Sequence, residues 1–90
     1  MFDLYLTGTY KKDLKLLAKR GYDLNLLANV VSDLRIPKQL PPHNHPHPLT
    51  GNYSGFEECH IRGDWLLIYR YHENDVLELT RTGTHSDLFR

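Results

Sequence analysis

Five side chains in the second half of this 90-residue chain could do chemistry together: His47, His60, Asp64, Arg81 and His85. His47 stands in a proline-rich loop. His60 falls late in a strand-like run, and Asp64 opens the next run. Arg81 closes a further run, and His85 follows it by four residues. Strand ends and loops are where a rigid scaffold usually presents reactive groups. The mixture suits cleavage of an RNA phosphodiester by its own 2′-hydroxyl. That reaction needs a base for the hydroxyl proton, an acid for the leaving 5′-oxygen and a cation for the charge building on phosphorus. Histidine, with an ordinary pKa near 6.5, serves in either proton-transfer role. Arginine offers a fixed fork of donors to the phosphate. The chemistry requires no cofactor.

Each residue also has a plainer reading. A single histidine is usually a solvated side chain, Asp64 is a natural turn residue, and Arg81 could pair with Glu78 or Glu58. Trp65 and Tyr69 at strand spacing fit core positions as well as base-stacking platforms; Trp65 is carried as a candidate substrate contact. Glu57 and Glu58 are adjacent, so on a strand they face opposite ways. His43, His45 and His47 alternate, and with Cys59 or Asp64 they could converge on zinc. No second ligand pair at a recognised spacing accompanies them, so no metal is expected.

The elements that must position these groups follow from periodicity. Phe2, Leu4 and Leu6 alternate with Asp3 and Tyr5, which predicts a first strand. Thr9 is a plausible helix N-cap, and Tyr10, Leu14, Leu17 and Ala18 then recur at helical spacing. Gly21 ends that helix and Asp23 caps the next, whose apolar stripe is Leu24, Leu27, Val31 and Leu34. Ile36-Pro37 stops it. The short break at Gly21-Tyr22 implies an antiparallel helical hairpin. Residues 37–51 hold all five prolines and three of the six histidines, a composition that predicts an ordered functional loop. Beyond Tyr53 the period changes to two. Phe56 to Ile61, Trp65 to Tyr71 and Val76 to Thr82 read as three strands joined by short turns, and so as an antiparallel meander. The expectation is one α+β domain over residues 1–90: a strand, a helical hairpin and a meander completing one mainly antiparallel sheet. One sheet face should pack on the helices and leave the other bare for binding.

The formal charge is zero, but it is divided. Residues 1–45 hold seven Lys/Arg against four Asp/Glu, and residues 46–90 hold four against seven. The basic excess at Lys11, Lys12, Lys15, Lys19 and Arg20 is a candidate phosphate-facing surface. A zero total argues against strong non-specific nucleic-acid binding. No apolar run nears the roughly 18 residues that cross a bilayer. The start Met1-Phe2-Asp3-Leu4 carries no signal-peptide pattern, and the lone Cys59 fits a reducing compartment.

The segment from His47 to Phe89 resembles the YafQ branch of the RelE/ParE toxin superfamily. The stretches that carry the likeness are His47-Pro48-Leu49 with Gly51, then Cys59-His60-Ile61, Asp64-Trp65-Leu66-Leu67-Ile68-Tyr69, and Arg81-Thr82-Gly83-Thr84-His85-Ser86-Asp87-Leu88-Phe89. The resemblance implies a RelE-like fold and a bacterial cytoplasmic toxin that cleaves mRNA in the ribosomal A site. It implies an antitoxin that wraps and blocks the toxin, and operator DNA reached only through that complex. It gives His47, His60, Asp64 and His85 to the active site with Phe89, which would help place a base or the terminal segment, and makes Arg81 the phosphate-contacting arginine. It assigns no role to His43 and His45. One geometric condition attaches to Arg81. Strict alternation puts it on the face of Leu77 and Leu79, so the strand must twist, bulge or end near it. The competing reading is a ParE-like toxin that binds and poisons DNA gyrase without cutting RNA.

Overall fold

The computed structural model describes residues 1–36, 44 and 46–89. His43 and His45 lie outside the described residues. Strand β1 spans Asp3–Leu6, helix α1 Gly8–Lys19 and helix α2 Leu24–Arg35. A two-residue strand β2, His47–Pro48, precedes a 3-10 turn at Gly51–Tyr53. Strands β3 (Glu57–Arg62), β4 (Trp65–His72) and β5 (Val76–Thr84) follow, and one helical turn, α3, closes the chain at His85–Leu88. This is the expected α+β order, with β2 and α3 as additions too short to show a period.

The helix starts two residues earlier than Thr9 suggests. Thr7 is the cap: its hydroxyl accepts from the Tyr10 N–H at 3.0 Å and donates to the Thr80 carbonyl at 2.8 Å. One hydroxyl thus satisfies an orphan amide of α1 and ties the helix to β5. Gly21, at φ +82°, takes the left-handed turn that stops α1. The Asp23 carboxylate caps α2 through the Asn25 N–H at 3.0 Å.

The sheet order is β1-β5-β4-β3-β2, with β1 parallel to β5 and the other neighbours antiparallel. The helices cover one face. Their buried residues Tyr10, Leu17, Leu27, Val30, Val31 and Leu34 meet Cys59, Trp65, Leu67, Tyr69, Leu77 and Leu79. The other face is not bare, which corrects the expectation. Leu66 and Ile68 form a second, smaller core with Leu88, and Leu49, Tyr53 and Phe56 pack against it. The peptide after β2 and the turn α3 therefore lie over this distal face. Central β4 is buried on both sides, which is why Trp65 through Tyr69 are all inaccessible.

Pairing of β4 with β5 shifts register where Ile68 faces Arg81 but Tyr69 faces Leu79. Thr80 is the extra residue, a β-bulge. Before it, Leu77 and Leu79 face the helices. After it, Arg81 shares the distal face with its partner Ile68. The condition placed on Arg81 by alternation is met by this bulge.

Candidate active site

The site is built on the rim of the distal core. The turn Arg62-Gly63-Asp64 between β3 and β4 brings two histidines under local control. The His60 Nδ1 lies 3.3 Å from the Gly63 carbonyl. A carbonyl only accepts, so Nδ1 carries a proton and the neutral ring keeps its lone pair on Nε2. One residue on, an Asp64 carboxylate oxygen sits 2.8 Å from His85 Nδ1. Ionised Asp64 makes Nδ1–H the donor there too. Both members of this pair are well exposed, at 57% and 59% of their side-chain surface. Phe89 packs on His85 at 5.6 Å between ring centroids, and Tyr53 packs edge-on against Phe89 at 5.7 Å.

His47 stands one strand over. β2 pairs His47 with Glu58, and the His47 Nε2–H donates to the buried Glu58 carboxylate at 3.2 Å. Its ring centre is 6.4 Å from that of His60. Asn44, also buried, donates to the His60 backbone carbonyl at 2.7 Å and is thereby tied to β3.

Arg81 pairs with neither Glu78 nor Glu58. β1 ends at Leu6, so the outer edge of β5 beyond Leu79 has no strand beside it. Asp13 of α1 fills that place. Its carboxylate accepts from Arg81 Nε and one terminal nitrogen, each at 3.0 Å, and from the Thr82 N–H at 3.1 Å. These bonds, with a smaller contribution from Tyr53, hold the guanidinium more firmly charged than usual. The bidentate pairing uses one edge of the guanidinium fork.

A second clamp fixes α3. Arg20 reaches both Asp87 oxygens, at 2.8 and 3.0 Å. Asp87 also accepts from the Thr84 N–H, while the Thr84 hydroxyl accepts from the Asp87 N–H, a reciprocal capping box. The Arg20 hydrogen bonds, then those of Thr84, hold the Asp87 carboxyl well below the usual carboxylate range.

The structure thus links Asp64 to His85, His85 to Phe89 and Phe89 to Tyr53, puts Arg81 beside the same Tyr53, and sets His47 next to His60. Trp65 is elsewhere. It is 4% exposed on the helix face, where its indole N–H donates to Thr82 and Tyr22 packs on it edge-on. No base can stack on it, which corrects its listing among substrate contacts by sequence. Both faces of β4 are apolar, so alternation could not assign it. Lys11, Lys12 and Lys15 are exposed on α1, the helix that supplies Asp13, and no contact joins them to the histidines among the described residues. Cys59 faces the helices, away from His47 and His60, and burial pushes its thiol up to about 12. It is placed for packing and not as a partner of those histidines. His72 is not a plain surface residue, since it bonds Glu78 at 2.9 Å. Sequence reading missed Asp13, Asn44 and Tyr53; it put Arg20 on the basic surface and offered Glu58 to Arg81, whereas they pair with Asp87 and His47. Tyr53 and Phe56 stand three residues apart, which is no strand period, and Asp13 is set among lysines, so neither spacing signalled a role.

Residues 2–90 match the family described as the bacterial toxin of type II toxin–antitoxin system, YafQ. The chain belongs to the YafQ toxin family. It is 39% identical over 90 residues to the mRNA interferase toxin YafQ of Escherichia coli K12, covering 97% of this chain and 95% of that one. The copper-bound L66S mutant toxin from Helicobacter pylori superposes with a TM-score of 0.93 at 38% identity, covering 99% of this chain and all of the other. The YafQ of the E. coli DinJ–YafQ toxin–antitoxin complex gives 0.89 at 38%, with 99% and 98% covered. The α+β fold described above is therefore the YafQ fold.

Proposed function

We propose that this chain is a cytoplasmic endoribonuclease toxin that cuts mRNA, in the ribosomal A site, and thereby stops translation. The observation that carries the reading is one rim holding two tautomer-fixed histidines, His60 and His85, with Arg81. The E. coli relative's name, mRNA interferase toxin, supports it. Arg81 grips the scissile phosphate with the edge of its fork that Asp13 does not use. The substrate 2′-oxygen attacks phosphorus, the bond to the 5′-oxygen breaks, and a 2′,3′-cyclic phosphate forms. His60, Asp64 and His85 take the 2′-hydroxyl proton and supply one to the leaving oxygen. Asp64 keeps His85 in the Nδ1–H tautomer, which leaves the Nε2 lone pair for proton transfer, and His47, tied to Glu58, borders the same rim. Phe89 and Tyr53 offer ring faces to a displaced base. None of these steps calls on a metal. A cognate antitoxin holds the toxin inactive, as the complexed E. coli relative suggests, and operator DNA is bound only through that complex.

Primer extension on an mRNA, with ribosomes present and absent and with a chelator added to half the reactions, tests the reading. Defined cuts that need ribosomes and persist in chelator are expected. The copper-bound relative makes the chelator arm essential. Translation arrest over intact mRNA would instead point to a binding toxin of the gyrase-poisoning kind.

A further inference from the structure

One built cluster on the distal face takes no part in the chemistry above. Glu78 is buried and accepts three hydrogen bonds: from Arg70 Nε at 3.1 Å, His72 Nε2 at 2.9 Å and the Thr80 hydroxyl at 2.9 Å. Burial opposes its ionisation, but the three donors outweigh that and hold its carboxyl below the usual range. Arg70 is the unusual member. Its guanidinium carbon lies 4.4 Å from the centre of the Phe56 ring, and 41% of its side chain is exposed. Only Nε is engaged by Glu78, so both terminal nitrogens are without a partner among the described residues. The group is stacked from one side and anchored from behind, which is a preorganised fork rather than a loose surface charge.

Its place on the sheet gives the fork a direction. Arg70 pairs with Glu78, and Arg81 pairs with Ile68, two residues from Arg70 on the same strand. Such diagonal neighbours lie roughly 7–8 Å apart at the backbone, and the two arginines share the distal face. A row of rings joins their surroundings. His85 contacts Phe89, Phe89 contacts Tyr53 at 5.7 Å, Tyr53 contacts Phe56 at 5.9 Å, and Arg70 lies on Phe56. Aromatic faces interleaved with cations are how single-stranded nucleic acid is held without base readout.

We propose that Arg70, braced by Glu78 and Phe56, grips a backbone phosphate of the RNA flanking the one held by Arg81, so that the strand runs along the Phe89–Tyr53–Phe56 row. This rests on the RNA-cleaving reading and adds the path of the substrate. Binding of a short 2′-O-methyl RNA, which lacks the attacking hydroxyl, is measured for the whole chain across a salt series, beside ribosome-dependent cleavage. Arg70→Met, which keeps the packing on Phe56, should weaken binding about tenfold, the loss of one hydrogen bond to a charged group. It should also reduce the slope of log affinity against log salt by about 0.7, one phosphate's worth for a single strand. The specificity constant for cleavage should fall by a similar factor. Arg70→Gln, which keeps a donor for Glu78, is the second neutral variant and decides the matter if Arg70→Met fails to fold. Arg70→Lys should restore most of the salt slope. An unchanged slope and affinity in a folded neutral variant would overturn the proposal, because a purely structural Arg70 leaves both alone. If the wild-type chain cuts no RNA, the cleavage reading falls and the binding series alone decides Arg70.

Discussion

Asp64 and His85 meet at 2.8 Å with more than half of each side chain in solvent. An exposed pair of this kind contributes at most about 1 kcal/mol to stability, so its value must be sought in activity. His85→Ala and His60→Ala should each lower mRNA cleavage about 100-fold or more while leaving the melting temperature nearly unchanged. Full activity in both single variants would sink the mechanism. Asp13 is the opposite case. Its buried carboxylate satisfies Arg81 and the Thr82 amide together. Asp13→Ala leaves a guanidinium and a strand amide unpaired, which should cost about 2–3 kcal/mol in a denaturant titration. Cleavage should fall as well, because Arg81 loses its orientation; Asp13→Asn, which keeps one acceptor, should lose less of both. Sequence revealed the placement of His60, Asp64 and His85 because strand ends can be read from period and turn residues. It could not reveal Asp13, since the partners stand 68 and 69 positions away and only the premature end of β1 brings them together.

At the scale of elements, α3 is one turn long and yet positions His85 and Phe89. Four residues cannot hold a helix by propensity, so the capping box and Arg20 must hold it. Thr84→Ala should cost about 1 kcal/mol and depress cleavage more than that small loss of stability explains, read by kinetics beside a melt. Gly83, at φ +156°, permits the turn, and a Cβ there would come within 2.9 Å of Asp87 Oδ2. The clamp also sets an acid limit. Because the folded Asp87 pKa lies below its unfolded value, near 3.9, its contribution is complete above that value and disappears as pH falls below it. A melting series from neutral pH downward should show the wild type losing stability below about pH 4 more steeply than Asp87→Asn. Neither β2 nor α3 was legible, since two to four residues display no period. The bulge at Thr80 was legible in a limited sense: the apolar alternation of Leu77 and Leu79 required a break before Arg81 without saying of which kind.

On the scale of the whole molecule, the switch from a helical period to alternation disclosed the α+β order, and the single proline-rich loop gave no reason to divide the chain. The second core stayed hidden because Leu49, Tyr53 and Phe56 come from a segment with no period. The division of charge has a physical counterpart. Exposed Lys11, Lys12 and Lys15 lie on α1, while three carboxylates of the second half, Glu58, Asp64 and Glu78, are engaged with histidines and arginines of the distal face. Replacing the three lysines with glutamate should reduce ribosome-dependent cleavage, most strongly at low salt where charge acts furthest. The melting temperature should change little, and unaltered kinetics would show that these lysines face nothing anionic. The position of Trp65 has one last consequence. It is the only indole in the chain, sealed between Tyr22 and Thr82 on the side of the sheet opposite His47, His60 and His85. Its emission is therefore a built-in optical gauge of helix–sheet docking, one that should redden on unfolding yet stay dark to whatever lands on the far side, so a single fluorimeter trace can tell a broken fold from a broken site.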